Sequence, residues 1–352
     1  MNATSRMLGA GGLVFAALGA SPALASGVRA GTSVTNNVTV TYQVGGVAQN
    51  EISAADTFTV DRKVDVTVTE VGTATTQVSP GQIAAVTTFQ VTNLANATLD
   101  FNLSPVAQQV GGTGPRGGTD NFNVNNTRIY ADANGNGTYD PGVDVLVTFL
   151  DELEADQSQV VFVLSDIPLG RVSGDVAVVT LTATGRESGT GGTLGAVLIQ
   201  TNGANTAGVD TVFTDGAGAT DGSRDAAFSA RDDYTVSAAA LTVTKTSKII
   251  SDPFNNLTNP KLIPGAVVEY CITVANAAGG APANNVTLSD SLPSETAYLA
   301  GFGIKVNGTV SGTTCNADGT NGGSQAGNTV TATLPSVAAG DVRTLVFRVT
   351  IN

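Results

Sequence analysis

The sequence predicts an all-β protein: tandem antiparallel β-sandwiches joined by long loops rich in Gly and Asn. Its 352 residues contain 42 Gly and only 5% aromatic residues, so the apolar residues are mostly Val, Ala, Leu and Ile. This composition favours strands and turns. Short segments also alternate apolar and polar residues, as in Lys63–Glu70 (KVDVTVTE) and Ala240–Thr246 (ALTVTKT). A two-residue period is typical of strands with one buried face.

The first 25 residues have the features of a cleaved secretory signal peptide. Arg6 precedes an apolar run, Leu8–Ala20, and Ala23-Leu24-Ala25 supplies the small residues of a cleavage site. The run is too short to span a membrane, and no later run approaches membrane length. The sequence therefore predicts a mature chain that starts near Ser26 and has no transmembrane segment. We expect it in the periplasm, on the cell surface or in the extracellular medium.

Two copies of one β module follow the signal peptide. Each copy opens on a Thr/Val strand, turns at Pro-Gly, continues into a strand that ends in Asn, and closes on an apolar strand after a small acidic turn. The corresponding segments are VTVT (66–69) and LTVT (241–244), Pro80-Gly81 and Pro264-Gly265, Asn93 and Asn276, and VVFVL (160–164) and LVFRV (345–349). Pro followed by Gly favours a tight turn, because Pro fixes φ and Gly adopts a positive one. The repeat predicts two homologous sandwiches.

This repeat divides the chain. We expect the first sandwich over residues 63–185 and the second over 240–352. Residues 26–62 are predicted to be a β-hairpin segment that either completes the first sandwich or caps it. Residues 186–239, rich in Gly, Thr, Asn and Asp, are predicted to be connecting loops with short strands. Their acids, including Asp232 and Asp233, are expected to be ordinary loop acids.

The second copy resembles the bacterial surface "conserved repeat domain", the domain of unknown function numbered eleven. The resemblance covers 240–352, and the first copy matches loosely because it lacks the Asp-x-x-Pro turn. The residues that carry it are Pro264-Gly265, Tyr270, Asn276, Asp290 with Pro293, and Gly340-Asp341. It implies immunoglobulin-like sandwiches in an exported envelope or surface protein of bacteria, and it implies no enzymatic activity.

A calcium loop is predicted within the first copy, in DANGNGTYD (132–140). Calcium binds six to eight oxygens, and alternate side chains can supply them when Gly at position 6 permits a sharp bend, as Gly137 does here. A calcium loop of this type has a carboxylate at position 12, but here position 12 is Val143 and the acid, Asp144, follows one residue later. The predicted ligands are Asp132, Asn134, Asn136, Thr138, Asp140 and Asp144. Similar loops occur in bacterial surface β-domains; the alternative is a metal-free Asn/Gly/Asp turn held by side-chain to backbone hydrogen bonds.

The two cysteines, Cys271 and Cys315, both lie in the part predicted to be exported. In an oxidising compartment they are expected to form a disulfide with each other. Two free thiols, or a bridge to another molecule, are the alternatives.

Charge and residue types argue against several functions. The net charge is −13 and the Lys and Arg residues are scattered, so a nucleic acid partner is not expected. The absence of His from the sequence excludes a Ser-His-Asp triad and His-ligated zinc. A two-carboxylate glycosidase would need aromatic sugar platforms, which this Val-rich composition does not favour. The chain is therefore predicted not to be an enzyme.

The predicted function is that of a structural, adhesive or spacer module of the bacterial cell envelope or surface. The alternatives are a module whose loops bind a glycan or a protein, and a subunit of a surface layer or filament. Expected partners are an envelope or surface protein, a glycan, or a second copy of the chain.

Overall fold

A computed structural model describes residues 27–107 and 111–352, and every regular element in those ranges is a β-strand. The predicted all-β class is therefore confirmed. The predicted signal peptide, residues 1–25, lies outside the described residues. Within them, no helix is long and apolar enough to cross a membrane.

Residues 33–59 form a two-stranded antiparallel sheet, which we call the ribbon. Strands β1 and β4 pair from Ser33 with Thr59 to Val40 with Ile52, and β2 pairs with β3 at the tip. The bounds are β1 (Ser33–Val40), β2 (Gln43–Val44), β3 (Val47–Ala48) and β4 (Ile52–Thr59). Gly45 and Gly46 close the tip with positive φ, as a two-residue hairpin requires. The ribbon shares no sheet with the described strands of the first sandwich, so it does not complete that sandwich.

The first sandwich consists of two five-stranded sheets. Their orders are β11-β10-β13-β8-β6 and β12-β9-β14-β16-β7, and β5 pairs with β15 in a short parallel sheet. The bounds are β5 (Arg62–Val64), β6 (Val66–Glu70), β7 (Thr76–Val78), β8 (Ala85–Asn93), β9 (Leu99–Ala107), β10 (Asn125–Ala131), β11 (Val145–Val147), β12 (Phe149–Leu153), β13 (Ser158–Asp166), β14 (Val176–Arg186), β15 (Thr211–Phe213) and β16 (Ala227–Val236).

The inner faces of these two sheets form one core. In β8 every second residue is buried, which is the predicted two-residue period. Phe89 from one sheet and Leu181 and Tyr234 from the other belong to the same buried cluster. The hydroxyl of Tyr234 donates to the carbonyl of Ala85, 3.1 Å away, so the one buried polar atom of this ring is bonded across the core.

Residues 186–239 were predicted to be connecting loops with short strands, and this prediction is wrong for Ala227–Val236. This segment is strand β16, which lies between β14 and β7 in the first sandwich. Every second residue of β16 points toward the core. Phe228, Ala230 and Tyr234 in this series are apolar or aromatic, but Asp232 between them is charged. Because Asp232 and Asp233 are adjacent, the sequence of this segment resembles that of a polar loop. The first sandwich therefore extends to Val236 instead of ending at residue 185.

The second sandwich has two sheets of unequal size. The larger has the order β17-β18-β27-β21-β24, with β20 also paired to β27, and the smaller has the order β19-β26-β25. A small hairpin, β22–β23, lies outside both. The bounds are β17 (Leu241–Ser251), β18 (Val267–Asn276), β19 (Ala283–Ser291), β20 (Thr296–Tyr298), β21 (Lys305–Val306), β22 (Val310–Ser311), β23 (Thr314–Cys315), β24 (Thr320–Asn321), β25 (Gly323–Ala326), β26 (Thr329–Val337) and β27 (Val342–Ile351).

The repeat read from the sequence has a structural counterpart in strand order. The opening, Asn-ending and closing strands lie side by side in each copy, as β6-β8-β13 and as β17-β18-β27. Asn93 and Asn276 are both buried, and each side-chain amide donates to two backbone carbonyls. The backbone of each Asn exchanges hydrogen bonds with the small acidic turn before the closing strand. The two Asn residues therefore fasten equivalent turns.

Candidate functional site

The predicted calcium loop connects β10 to β11, which pair as an antiparallel hairpin on the first sandwich. Both flanks of the loop are therefore strands. Tyr139 anchors the loop, since its ring lies edge-on to Tyr130 and Phe162, with centroids 5.1 and 5.9 Å away. The ends of the loop, Asp132 and Asp144, are buried.

The two buried aspartates hold the loop closed through its backbone. Asp132 accepts hydrogen bonds from the N–H groups of Gly135 and Gly137, at 2.7 and 2.8 Å. Asp144 accepts from those of Ala133 and Asp140, at 3.1 and 2.6 Å. All four carboxylate oxygens thus have backbone donors, which stabilises this bend without any further ligand.

Of the remaining predicted ligands, the two Asn side chains contact the carboxylate of Asp140. The side-chain amides of Asn134 and Asn136 donate to Asp140, at 2.9 and 2.7 Å. These two bonds lower the pKa of Asp140 below its usual value. The N–H of Thr138 donates to the side-chain oxygen of Asn136, at 2.8 Å. The structure therefore brings together the residues that the sequence selects for calcium.

The donor atoms in this arrangement suit a closed turn better than a filled cation site. Asn134 and Asn136 direct their NH₂ groups at Asp140, whereas calcium binds oxygens. Within residues 27–107 and 111–352, no group of three or more acidic, His or Cys side chains is arranged to hold a metal ion. Calcium binding would require both amides to rotate and present their oxygens.

The predicted cysteine pair forms a disulfide within the second sandwich. The Sγ atoms of Cys271 and Cys315 are 2.03 Å apart, and the residues are separated by 44 positions. Cys271 lies in β18, in the larger sheet, and Cys315 lies in the small hairpin β22–β23. Both are buried, with Val346 beside them. The bond therefore fastens an otherwise peripheral hairpin to the sheet.

A group of buried acids in the first sandwich is missed by sequence reasoning. Asp232 and Asp233 lie in β16 and are 3% and 0% exposed. Burial is the main cause that raises the pKa of Asp232 to about 7, and the negative charges of Glu70 and Asp233 act in the same direction. Arg116 forms an ion pair with Glu70, and its backbone N–H donates to Asp233 at 2.9 Å. The run Arg-Asp-Asp inside an otherwise alternating segment is the signal that could have indicated this site.

The ribbon presents an uncovered apolar face. Paired residues on antiparallel strands share a face, and so do residues two apart along each strand. Val38 and Val40 of β1 and Ile52 and Phe58 of β4 therefore lie on the same side. These four side chains are between 51% and 58% exposed. The opposite face carries Thr and Ser at most positions, so the two faces differ in polarity.

Comparison with known proteins assigns no family. No protein-family model matches the chain, and no curated protein matches it. Among solved structures, a protein named BspA_C_mut has a TM-score of 0.32 at 11% identity, over 82% of this chain and 90% of its own. A Corynebacterium diphtheriae protein described as membrane anchored has a TM-score of 0.20 at 11% identity, over 91% and 89%. Zebrafish RET cadherin-like domains 1 to 4 give 0.20 at 8% identity, over 69% and 54%. At these TM-scores the likenesses carry no argument about function.

Proposed function

We propose that this chain is an exported, non-enzymatic structural or adhesive module of the bacterial cell surface, which binds its partner through the apolar face of the ribbon. The exposure of Val38, Val40, Ile52 and Phe58 on a separate two-stranded sheet carries this proposal. The resemblance of residues 240–352 to the bacterial conserved repeat domain and the signal-like N-terminus support export.

The energetics of the ribbon favour a binding role. An isolated two-stranded hairpin is marginally stable in water, so packing against another surface would stabilise it. Full burial of a Val, Ile or Phe side chain contributes about 1.5 to 3 kcal/mol, and these four are about half exposed. Covering the apolar face would therefore contribute about 4 kcal/mol. This energy is available only to a molecule that covers the ribbon.

We also propose that calcium binds the loop at 132–144 and makes it more rigid. Asp132, Asp140 and Asp144 supply carboxylates, and Asn134 and Asn136 supply amide oxygens once their side chains rotate. A bound cation would replace the amide donors that now contact Asp140. Its role would be structural, because ion binding that orders a loop stabilises the folded state.

Export and ribbon-dependent binding are tested together by producing the full chain in bacteria. Fractionation is expected to recover the chain outside the cytoplasm, with part of it retained on washed cells. Val40→Asp places a charge on the apolar face and is expected to reduce the retained fraction several-fold. Thr39→Asp is the matched control, since it adds the same charge to the adjacent residue on the opposite face.

Two results would contradict the proposed function. One is recovery of the chain, with its N-terminal segment intact, from the cytoplasm alone. The other is equal retention of Val40→Asp, Thr39→Asp and the unchanged chain, which would show that the ribbon does not mediate the contact.

A further inference from the structure

The sequence contains five Asn-Gly pairs, and such a pair can react without any enzyme. The backbone nitrogen of the Gly attacks the side-chain carbonyl carbon of the Asn, and the absence of a Cβ on Gly leaves that approach open. The pairs are Asn134-Gly135, Asn136-Gly137, Asn202-Gly203, Asn307-Gly308 and Asn321-Gly322. The fold decides which of them reacts, because attack requires an unbonded N–H group and an Asn side chain that can turn toward it.

Two of these pairs lie in the loop at 132–144, where one carboxylate holds both reacting nitrogens. The N–H groups of Gly135 and Gly137 donate to the two oxygens of Asp132, at 2.7 and 2.8 Å. A hydrogen bond favours the protonation state that makes it. The negative carboxylate of Asp132 therefore keeps the proton on each nitrogen and opposes the deprotonation that attack requires.

The reacting carbons of this loop are held as well. The side-chain amides of Asn134 and Asn136 donate to Asp140, at 2.9 and 2.7 Å. Their side-chain oxygens accept the N–H groups of Asn136 and Thr138, at 3.1 and 2.8 Å. Turning either side chain toward the next backbone nitrogen would break two hydrogen bonds. Both pairs in the loop are therefore protected twice.

The two pairs in the second sandwich are restrained by the backbone around them. The N–H of Gly322 donates to the carbonyl of Ile304, at 3.1 Å. Gly308 is half-buried, and a Cβ built on it would lie only 2.6 Å from the carboxylate of Asp318. The reacting nitrogen is thus occupied in one pair, and close packing hinders the backbone movement that ring closure needs in the other.

Asn202-Gly203 has none of these restraints. The pair lies between β14 and β15, and both residues are exposed. Across residues 27–107 and 111–352, no protein group bonds the N–H of Gly203 or the side chain of Asn202. A Cβ built on Gly203 would meet no atom within 4 Å, so the backbone has room to turn. Nitrogen and carbon can therefore approach each other here.

We propose that Asn202 is a site of spontaneous covalent modification in the folded chain. The deprotonated nitrogen of Gly203 bonds to the side-chain carbonyl carbon of Asn202, and the bond from that carbon to Nδ2 breaks. Nδ2 leaves as ammonia, taking up from the solvent the equivalent of the proton that the Gly nitrogen lost. Water then opens the cyclic imide at either carbonyl, which gives aspartate or isoaspartate at position 202.

The product changes charge and backbone length close to the ribbon. The N–H of Thr201, the residue before the site, donates to the carbonyl of Thr211, 2.9 Å away. Thr211 opens β15 and pairs with Arg62 in β5, three residues after the ribbon ends. Either product adds a negative charge, and isoaspartate also adds one carbon to the main chain. The modified position is therefore one residue from the contact that joins this loop to the strand beside the ribbon.

Peptide mapping by mass spectrometry tests which Asn reacts. The folded chain is incubated at mildly alkaline pH in water labelled with oxygen-18 and is then digested in ordinary water. The label enters the new carboxylate when the imide opens, so only conversion during the incubation is counted. Asn202 is expected to convert at least several-fold faster than each of the other four Asn residues.

Unfolding and substitution separate the effect of the fold from that of the local sequence. In guanidinium chloride the five rates are expected to become similar, because each Asn is followed by Gly. Asp132→Ala frees the two Gly nitrogens of the loop and is expected to raise conversion at Asn134 and Asn136 several-fold, with Asn202 unchanged. Asp140→Ala frees the two Asn side chains instead and should act in the same direction. Circular dichroism checks that both variants fold.

Three results would overturn the inference. Asn202 could convert no faster than another of the five, which would show that exposure and unbonded groups do not select the site. Its lead could persist in guanidinium chloride, which would assign the difference to sequence instead of fold. Conversion at Asn134 and Asn136 could be the same in both loop variants as in the unchanged chain, and the hydrogen bonds would then protect nothing.

Discussion

Replacing Asp232 with Asn should make the first sandwich more stable at alkaline pH. Asp232 is 3% exposed on the inner side of β16, and burial together with the charges of Glu70 and Asp233 raises its pKa from 3.8 to about 7. Each pKa unit corresponds to 1.36 kcal/mol, so the ionised carboxylate destabilises the folded state by about 4 kcal/mol. Asn removes the charge and retains an oxygen that can accept the N–H of Asp233, which now lies 2.7 Å from Asp232.

The sign of the pH dependence follows from the direction of the shift. The folded chain keeps a proton on Asp232 up to about pH 7, whereas the unfolded chain loses it near pH 3.8. The stabilising effect of that proton is therefore complete below pH 3.8 and is lost as the pH rises to about 7. The amide introduced by Asp232→Asn has no proton to lose in this range, so the advantage of the variant should be near zero at pH 4 and about 4 kcal/mol at pH 8.

Urea denaturation followed by far-UV circular dichroism at pH 4, 6 and 8 would measure this difference. Glu154→Gln is the control, because Glu154 is exposed in the same sandwich and the substitution also removes one negative charge. Its effect should be small at every pH. If the advantage of Asp232→Asn were the same at pH 4 and pH 8, the carboxyl would not titrate as described, and the reasoning from burial would be refuted.

Three further predictions concern the disulfide, the loop and the core. Replacing Cys271 and Cys315 with Ser opens a loop of 44 positions, which should lower the unfolding free energy of the second sandwich by about 4 kcal/mol in urea; an unchanged midpoint would contradict this. Calorimetry should detect heat when calcium is added to the unchanged chain and none with Asp132→Ala, while heat from neither would exclude the calcium proposal. Tyr234→Phe removes the hydroxyl bonded to Ala85 and should lower stability by about 1 kcal/mol in the same urea assay, and no loss would show that this bond contributes nothing.

The sequence by itself determined the local structure of this protein. Alternation of Val with Thr identified strands such as Val66–Glu70 and the side of each that is buried, because a two-residue period is a property of the strand alone. The repeated Asn93 and Asn276 indicated equivalent strands, since each ends beside the same kind of turn. The spacing of Asp132 to Asp144 likewise predicted a closed loop, because its hydrogen bonds join residues that are close in the chain.

Tertiary structure decided what each strand pairs with and what covers it. These are non-local properties. The sequence of β16 resembles a loop, and its pairing with β14 and β7 makes it a strand. Asp232 is buried only because the opposing sheet packs over it. The same holds for the ribbon, whose alternation predicts a buried face that no described strand of the first sandwich covers. Val243 is exposed for a related reason, because the second sandwich's smaller sheet is too narrow to reach β17. Burial depends on the opposing surface, and that surface comes from residues far away in the sequence.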